Sequence, residues 1–166
     1  NNKKVIIIDC DLRRPTIHKK FGISNSIGLT EYIIGKNDLN NVIQILNENF
    51  SVITSGRIPP NPSEILSSKS MENLLKALSV CYDYVILDTP PLTAVTDAQI
   101  LAGKCDGTIL VVRAESTSKE SIIKAYKELE KVRANVLGAV LNGIKGNNKI
   151  YYYAEDNKKK KLKVRS

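Results

Sequence analysis

A chain of 166 residues, 42% hydrophobic and 25% charged, has the size and composition of one globular domain with a buried core. No apolar run approaches the ~20 residues that a membrane-spanning helix needs, and no secretory leader is visible. The net charge of +8 does not argue for a nucleic-acid-binding fold, because residues 143–166 carry +6 of it and residues 1–142 only +2.

The chain opens Asn1-Asn2-Lys3 and its single methionine is Met71, which reads as the C-terminal part of something longer, or a processed piece. Nearly continuous apolar runs at Val5–Ile8, Phe50–Thr54, Tyr84–Leu87, Gly107–Val112 and Val136–Leu141 predict parallel strands covered on both faces. Between them lie helix-length segments with start signals. Asn61-Pro62-Ser63-Glu64, Thr96-Asp97-Ala98-Gln99 and Thr117-Ser118-Lys119-Glu120 each have capping-box form. After the last, Ile122, Tyr126 and Leu129 fall on one helical face. Alternating strand and helix with right-handed crossovers predicts an α/β fold, a doubly wound, mostly parallel sheet flanked by helices. The pattern dissolves after Asn142, so the expected division is a domain over 1–142 and a tail over 143–166.

Cys10, Cys81 and Cys105 lie far apart without metal-ligand or disulfide spacing, and reduced thiols in a cytosolic protein are the expectation. The lone His18 cannot build a metal site and reads as a surface residue in a loop or helix start.

In doubly wound sheets ligands bind at the carboxyl ends of the strands. Asp9, Asp11 and Arg13 follow the first apolar run, and alternate residues of an extended stretch share a face. Alone, this trio could be a solvated ion-pair cluster. Tyr84–Leu87 ends in Asp88-Thr89-Pro90-Pro91, an acid closing a buried strand, which is the Walker B arrangement for holding Mg²⁺. Three carboxylates at one sheet edge repel one another, and a hard divalent cation with phosphate oxygens resolves that repulsion.

VIIIDCDLRRP (5–15) resembles the Walker A′ motif of the bacterial tyrosine kinases, VILDTPP (85–91) resembles their Walker B, and PPNPSEIL (59–66) resembles a loop-helix signature of the same family. The tyrosine-rich tail resembles its autophosphorylation cluster. The resemblance implies a P-loop NTPase-like fold related to MinD/ParA ATPases. It also implies ATP and Mg²⁺ as cofactors, and tyrosine autophosphorylation in the control of capsule and exopolysaccharide production. It makes Asp11 and Asp88 magnesium-organising acids, and Asp9 a further metal contact or the acceptor of the attacking tyrosine's proton. Arg13 would support negative charge near the phosphates. Asn142 matches a position that often touches adenine, beside its equal reading as a turn residue before Gly143. For PPNPSEIL, helix-start chemistry explains the residues without a ligand. Tyr151, Tyr152 and Tyr153 become the phosphate acceptors, with an aromatic packing patch as the alternative. Lys158–Lys161 read as a solvated run or as a contact to an anionic membrane or partner. The implied partners are a transmembrane activator of the polysaccharide co-polymerase type, further copies of the chain and a cognate tyrosine phosphatase, with no nucleic acid. The implied location is the cytoplasmic face of the plasma membrane, reached through a partner.

One departure stands out. No stretch of residues 1–166 matches the GxxxxGK[ST] loop. Without it there is no amide nest, lysine or hydroxyl for phosphates and Mg²⁺, so this chain alone is expected to transfer phosphate negligibly and to carry an exposed strand gap. A positioning ATPase of the MinD/ParA type and a non-catalytic regulatory fragment are the competing readings.

Overall fold

Four apolar residues in sequence, then an acid, make the first strand of the computed structural model, which describes residues 2–144. β1 (Val5–Asp9) lies between two parallel neighbours, β3 (Phe50–Ile53) and β4 (Tyr84–Asp88). β2 (Ile43–Asn47) adds an antiparallel edge to β3, giving the order β2-β3-β1-β4. A separate parallel pair joins β5 (Thr108–Arg113) to β6 (Val136–Asn142). Among the described residues β4 therefore has one strand neighbour, β1, and β5 has one, β6.

Helices connect the strands: α1 (Ile17–Phe21), α2 (Leu29–Ile33) and α3 (Leu39–Val42) lie before β2, and α4 (Pro62–Ser67) and α5 (Lys69–Cys81) before β4. α6 (Asp97–Ala102) precedes β5, and α7 (Lys119–Lys131) precedes β6. The parallel arrangement agrees with the sequence expectation. The antiparallel β2 was not foreseen, because Ile-Gln-Ile-Leu-Asn is short and half polar.

The core lies on one face of the four-stranded sheet. Ile6 and Ile8 of β1 are fully buried with Leu29, Ile53, Leu66, Met71, Leu74 and Leu78. Met71, Leu74 and Leu78 recur at three- and four-residue spacing, so α5 turns one stripe onto the sheet. Each such side chain contributes about 2 kcal/mol of burial. Ser68 starts α5 by accepting the Met71 N–H at 3.2 Å. Glu72 ties the helix down through Lys104 at 2.7 Å and Lys69 at 2.9 Å, and these bonds hold its carboxyl at a pKa of about 2.

Among the described residues the opposite face is open, where the sequence pattern led to the expectation of two closed faces. Val5 and Ile7 are half-buried, and Tyr84 and Ile86 of β4 are exposed. The two-stranded sheet is likewise open, with Ile109 57% and Val111 63% exposed and Val140 paired beside Val111.

Two helix starts also differ from expectation. Ser118, not Thr117, caps α7, accepting the Ser121 N–H at 3.2 Å. Its buried stripe is Ala125 and Leu129, while Tyr126 is exposed. Asn61 and Thr96 stand at helix starts but make no side-chain bond to backbone there, so neither closes a capping box. Asn61 bonds the Glu64 carboxylate instead. No helix among the described residues is long and apolar enough to cross a membrane. The tail residues Tyr151, Tyr152, Tyr153 and Lys158–Lys161 lie outside the described residues.

Candidate active site

β1 and β4 run in register, so Asp9 stands directly beside Asp88 at the carboxyl ends of adjacent parallel strands. The Cys10 N–H donates to the Asp88 carbonyl at 2.8 Å and continues the ladder one residue past Asp9. Strand alternation puts both acids on the face shared with Ile7 and Ile86, the open one. At the strand ends Asp9 is covered while Asp88 is only half-buried.

Asp9 is fully buried and both of its oxygens already accept N–H groups. Oδ1 takes the Asp11 amide at 3.2 Å; Oδ2 takes those of Thr16 at 3.2 Å and Ile17 at 3.0 Å. These bonds fold residues 11–17 back over the strand end. Burial raises the Asp9 pKa above the usual carboxylate value, the Ile17 amide opposes the rise, and the neighbouring Asp88 charge adds to it. Asp11 repeats the device one step on: its Oδ1 accepts the amides of Arg13 at 3.2 Å and Arg14 at 2.9 Å.

Asp88 is different. It is half-buried, and no side-chain or backbone donor reaches its carboxylate among the described residues. Burial raises its pKa; the charge of Lys20 on α1 opposes the rise and that of Asp11 adds to it. A desolvated carboxylate with unfilled acceptor capacity beside a second acid is suited to a hard cation. No group of three or more His, Cys, Asp or Glu among the described residues is placed to enclose a metal alone. The donor set therefore fits Mg²⁺, which is usually held by one or two carboxylates with waters and substrate phosphates. Asp11 and Asp88 would hold it.

Arg13 is engaged elsewhere than at a phosphate. Its Nε donates to Asp97 Oδ2 at 2.8 Å and its Nη2 to Asp97 Oδ1 at 3.2 Å and Ser63 Oγ at 3.3 Å. Ser63 donates in turn to Asp97 Oδ1 at 2.7 Å. Asp97 is fully buried; burial pushes its pKa up, but the bonds from Arg13 and Ser63 outweigh this and hold it below the usual range. The PPNPSEIL segment thus meets the site through Ser63, and Asp97 at the first position of α6 is the residue sequence reasoning missed. Its burial and its partners are tertiary, so the sequence showed no more than an acid in the first turn of a helix. Asn142 ends β6 opposite Arg113, on the separate sheet, exposed, with its carbonyl accepting the Ala114 N–H at 2.8 Å. The structure does not bring it to the Asp9–Asp88 pair through any recorded contact.

A mostly parallel sheet with paired acids at the ends of adjacent strands has the architecture of the P-loop NTPase-like α/β class. The comparisons narrow it. Residues 1–141 match the family model described as an AAA domain. The tyrosine-protein kinase YwqD of Bacillus subtilis is 46% identical over 144 residues, 86% of this chain and 61% of that protein. The kinase domain of Escherichia coli tyrosine kinase ETK superposes with a TM-score of 0.83 at 42% identity, covering 86% of this chain and 56% of that one. The VpsO kinase domain gives 0.81 at 33% identity, over 86% and 71%. A more distant likeness shows the fold alone: the septum site-determining protein MinD from Pyrococcus horikoshii, solved with Mg-ADP, has a TM-score of 0.68 at 22% identity, over 84% and 58%. The chain belongs to the AAA domain family and, within it, to the bacterial tyrosine-kinase branch. It spans about three-fifths of the length of YwqD.

Proposed function

We propose that the chain supplies the acid half of an ATP-dependent protein-tyrosine kinase of the capsule and exopolysaccharide type. The phosphate-binding loop arrives on a strand seated between β4 and β5. The observation that carries this reading is the register pairing of Asp9 with Asp88, beside a β4 edge that has no second neighbour among the described residues. Such a strand would cover Tyr84 and Ile86 and deliver its loop to the carboxyl ends where the acids stand.

In this reading Asp11 and Asp88 hold Mg²⁺, which neutralises phosphate charge when bound. Asp9 positions rather than ligates, because its oxygens already bind the amides of residues 11, 16 and 17. Asp97 and Ser63 orient Arg13, fixing the loop that carries Asp11. The phosphoryl acceptors are Tyr151, Tyr152 and Tyr153, presented by a second copy, and Asn142 contributes at the adenine. A transmembrane activator holds the kinase at the cytoplasmic face of the membrane, and a cognate phosphatase reverses the reaction.

Phosphotyrosine formation from MgATP tests the proposal. Residues 1–166 alone are expected to give none. A version that also carries a phosphate-binding loop on a strand pairing with β4 is expected to phosphorylate its tail, and to lose at least about a hundredfold in rate on Asp88→Asn. Transfer by residues 1–166 alone, or full activity of the Asp88→Asn form, would overturn it.

A further inference from the structure

Beyond the acid pair lies a second feature, a cavity of about 550 Å³ whose charged lining is entirely cationic. Arg14, Lys19 and Arg57 reach it from two separate loops and a helix, and no Asp or Glu lines it. None of the three makes an ion pair among the described residues, whereas neighbouring Arg13 is satisfied by Asp97. His18, expected to be an ordinary surface residue, also lines the cavity, and its Nδ1 is buried with no hydrogen-bond partner among the described residues.

The wall is built, not incidental. Gly56 turns with φ +75°, and a Cβ there would meet Glu31 Oε2 at 2.0 Å, so any side chain would strain the turn and displace Glu31. Asn25 pins that turn from both sides, accepting the Gly56 N–H at 3.0 Å and donating to its carbonyl at 2.9 Å. Glu31, behind the turn, accepts the Arg57 N–H at 3.3 Å and the Gly28 N–H at 2.9 Å. On the other side, Thr16 lines the cavity while its amide bonds Asp9. The cavity and the acid pair are therefore two sides of one loop.

Three exposed cations without an ion pair, in a cavity without a carboxylate, suit a compact, multiply charged anion. Arginine forks suit a phosphate best, and a phosphomonoester carries close to two charges at neutral pH. We propose that this cavity binds phosphotyrosine, on a peptide whose next tyrosine lies at the acid pair. The proposal rests on the kinase reading for its choice of ligand. Three consecutive tyrosines at 151–153 provide that ligand in this chain's own sequence, so that one phosphorylated residue on a second copy is retained while its neighbour is presented.

The test is fluorescence anisotropy at physiological salt, without nucleotide, on the phosphatase-treated chain. The probe is a labelled peptide of residues 149–157, unmodified or phosphorylated at Tyr152. The phosphopeptide is expected to bind at least about tenfold more tightly, and the double variant Arg14→Ala/Arg57→Ala to lose that preference. Arg57→Lys should retain part of it, and Lys131→Ala on α7 all of it; melting curves confirm that each variant is folded. Equal affinity for the two peptides, an unaffected double variant, or competition by inorganic phosphate at the same concentration as the phosphopeptide would each overturn the proposal. An active loop-bearing kinase without phosphopeptide preference sinks only this inference. An inactive one that still prefers the phosphopeptide sinks only the kinase reading.

Discussion

Asp9 and Asp88 share a register position and a raised pKa, yet they respond oppositely to loss of charge. A carboxyl whose folded pKa lies above its unfolded value binds its proton more tightly in the folded state. Its contribution is therefore fully present below the ordinary carboxylate pKa and is lost as pH rises through the folded one. Asp88→Asn removes a desolvated charge that no donor stabilises, and should raise stability at pH 7 by on the order of 1 kcal/mol while flattening its pH dependence. Asp9→Asn removes the same charge but sets an amide NH₂ against the Thr16, Ile17 or Asp11 N–H, and should lower stability by about 1–3 kcal/mol. Thermal melts at pH 4 and pH 7 distinguish the two, and a stabilising Asp9→Asn would refute this account. Asp97 has the reverse sign: its pKa is depressed, so its contribution is present above the ordinary carboxylate pKa and is lost as pH falls through the lower folded value. Asp97→Asn should therefore destabilise at pH 7 and matter least in acid. Of these residues Asp9, Asp11, Arg13 and Asp88 were marked as candidates by strand-end position together with the motif resemblance. Asp97 was not, because its role depends on a guanidinium 84 residues away in the chain.

Among the elements, the five apolar runs became strands because continuous β-branched and aliphatic residues suit buried parallel pairing. Helix starts were less legible. Ser118 and Thr117 are adjacent and both chemically able to cap, and only the backbone path decides between them. Ser118→Ala should lower stability by about 1 kcal/mol and Thr117→Ala by close to nothing, as denaturant midpoints would show. The turn between β3 and α4 has a sharper requirement. A Cβ on Gly28 would lie 2.2 Å from the Thr54 carbonyl oxygen and 2.4 Å from the Gly56 nitrogen, both backbone atoms. Gly28→Ala should cost about 1–3 kcal/mol and, by shifting the Gly56 turn, weaken phosphopeptide binding in the anisotropy measurement.

At the scale of the whole molecule, the described strands form two sheets divided between β4 and β5, in line with the expected strand gap, and their faces are open where the strand pattern suggested cover on both sides. Ile109, Val111 and Val140 share an uncovered face, and Tyr84 and Ile86 lie exposed beside the acid pair. Exposed apolar sheet faces of this kind bind hydrophobic dye and promote association. Residues 1–166 should therefore enhance the fluorescence of such a dye in the native state, and Ile109→Thr/Val111→Thr should reduce it substantially. A strand that seats between β4 and β5 should abolish it and raise the melting temperature. Dye binding unchanged by either would show that the open faces are not the source.

The amino-acid sequence determined the class of fold and marked the strand-end acids as candidates, because hydrophobic period and strand-end position are local properties that survive in any parallel sheet. It also exposed the missing phosphate loop, since that motif is contiguous. Tertiary structure alone decided that Asp9 anchors a loop while Asp88 stays open, that Arg13 belongs to Asp97, and that Arg14, Lys19 and Arg57 converge on one cavity. Each of these depends on which distant backbone or charge lies opposite, and hydrogen bonding and desolvation act across space, not along the chain.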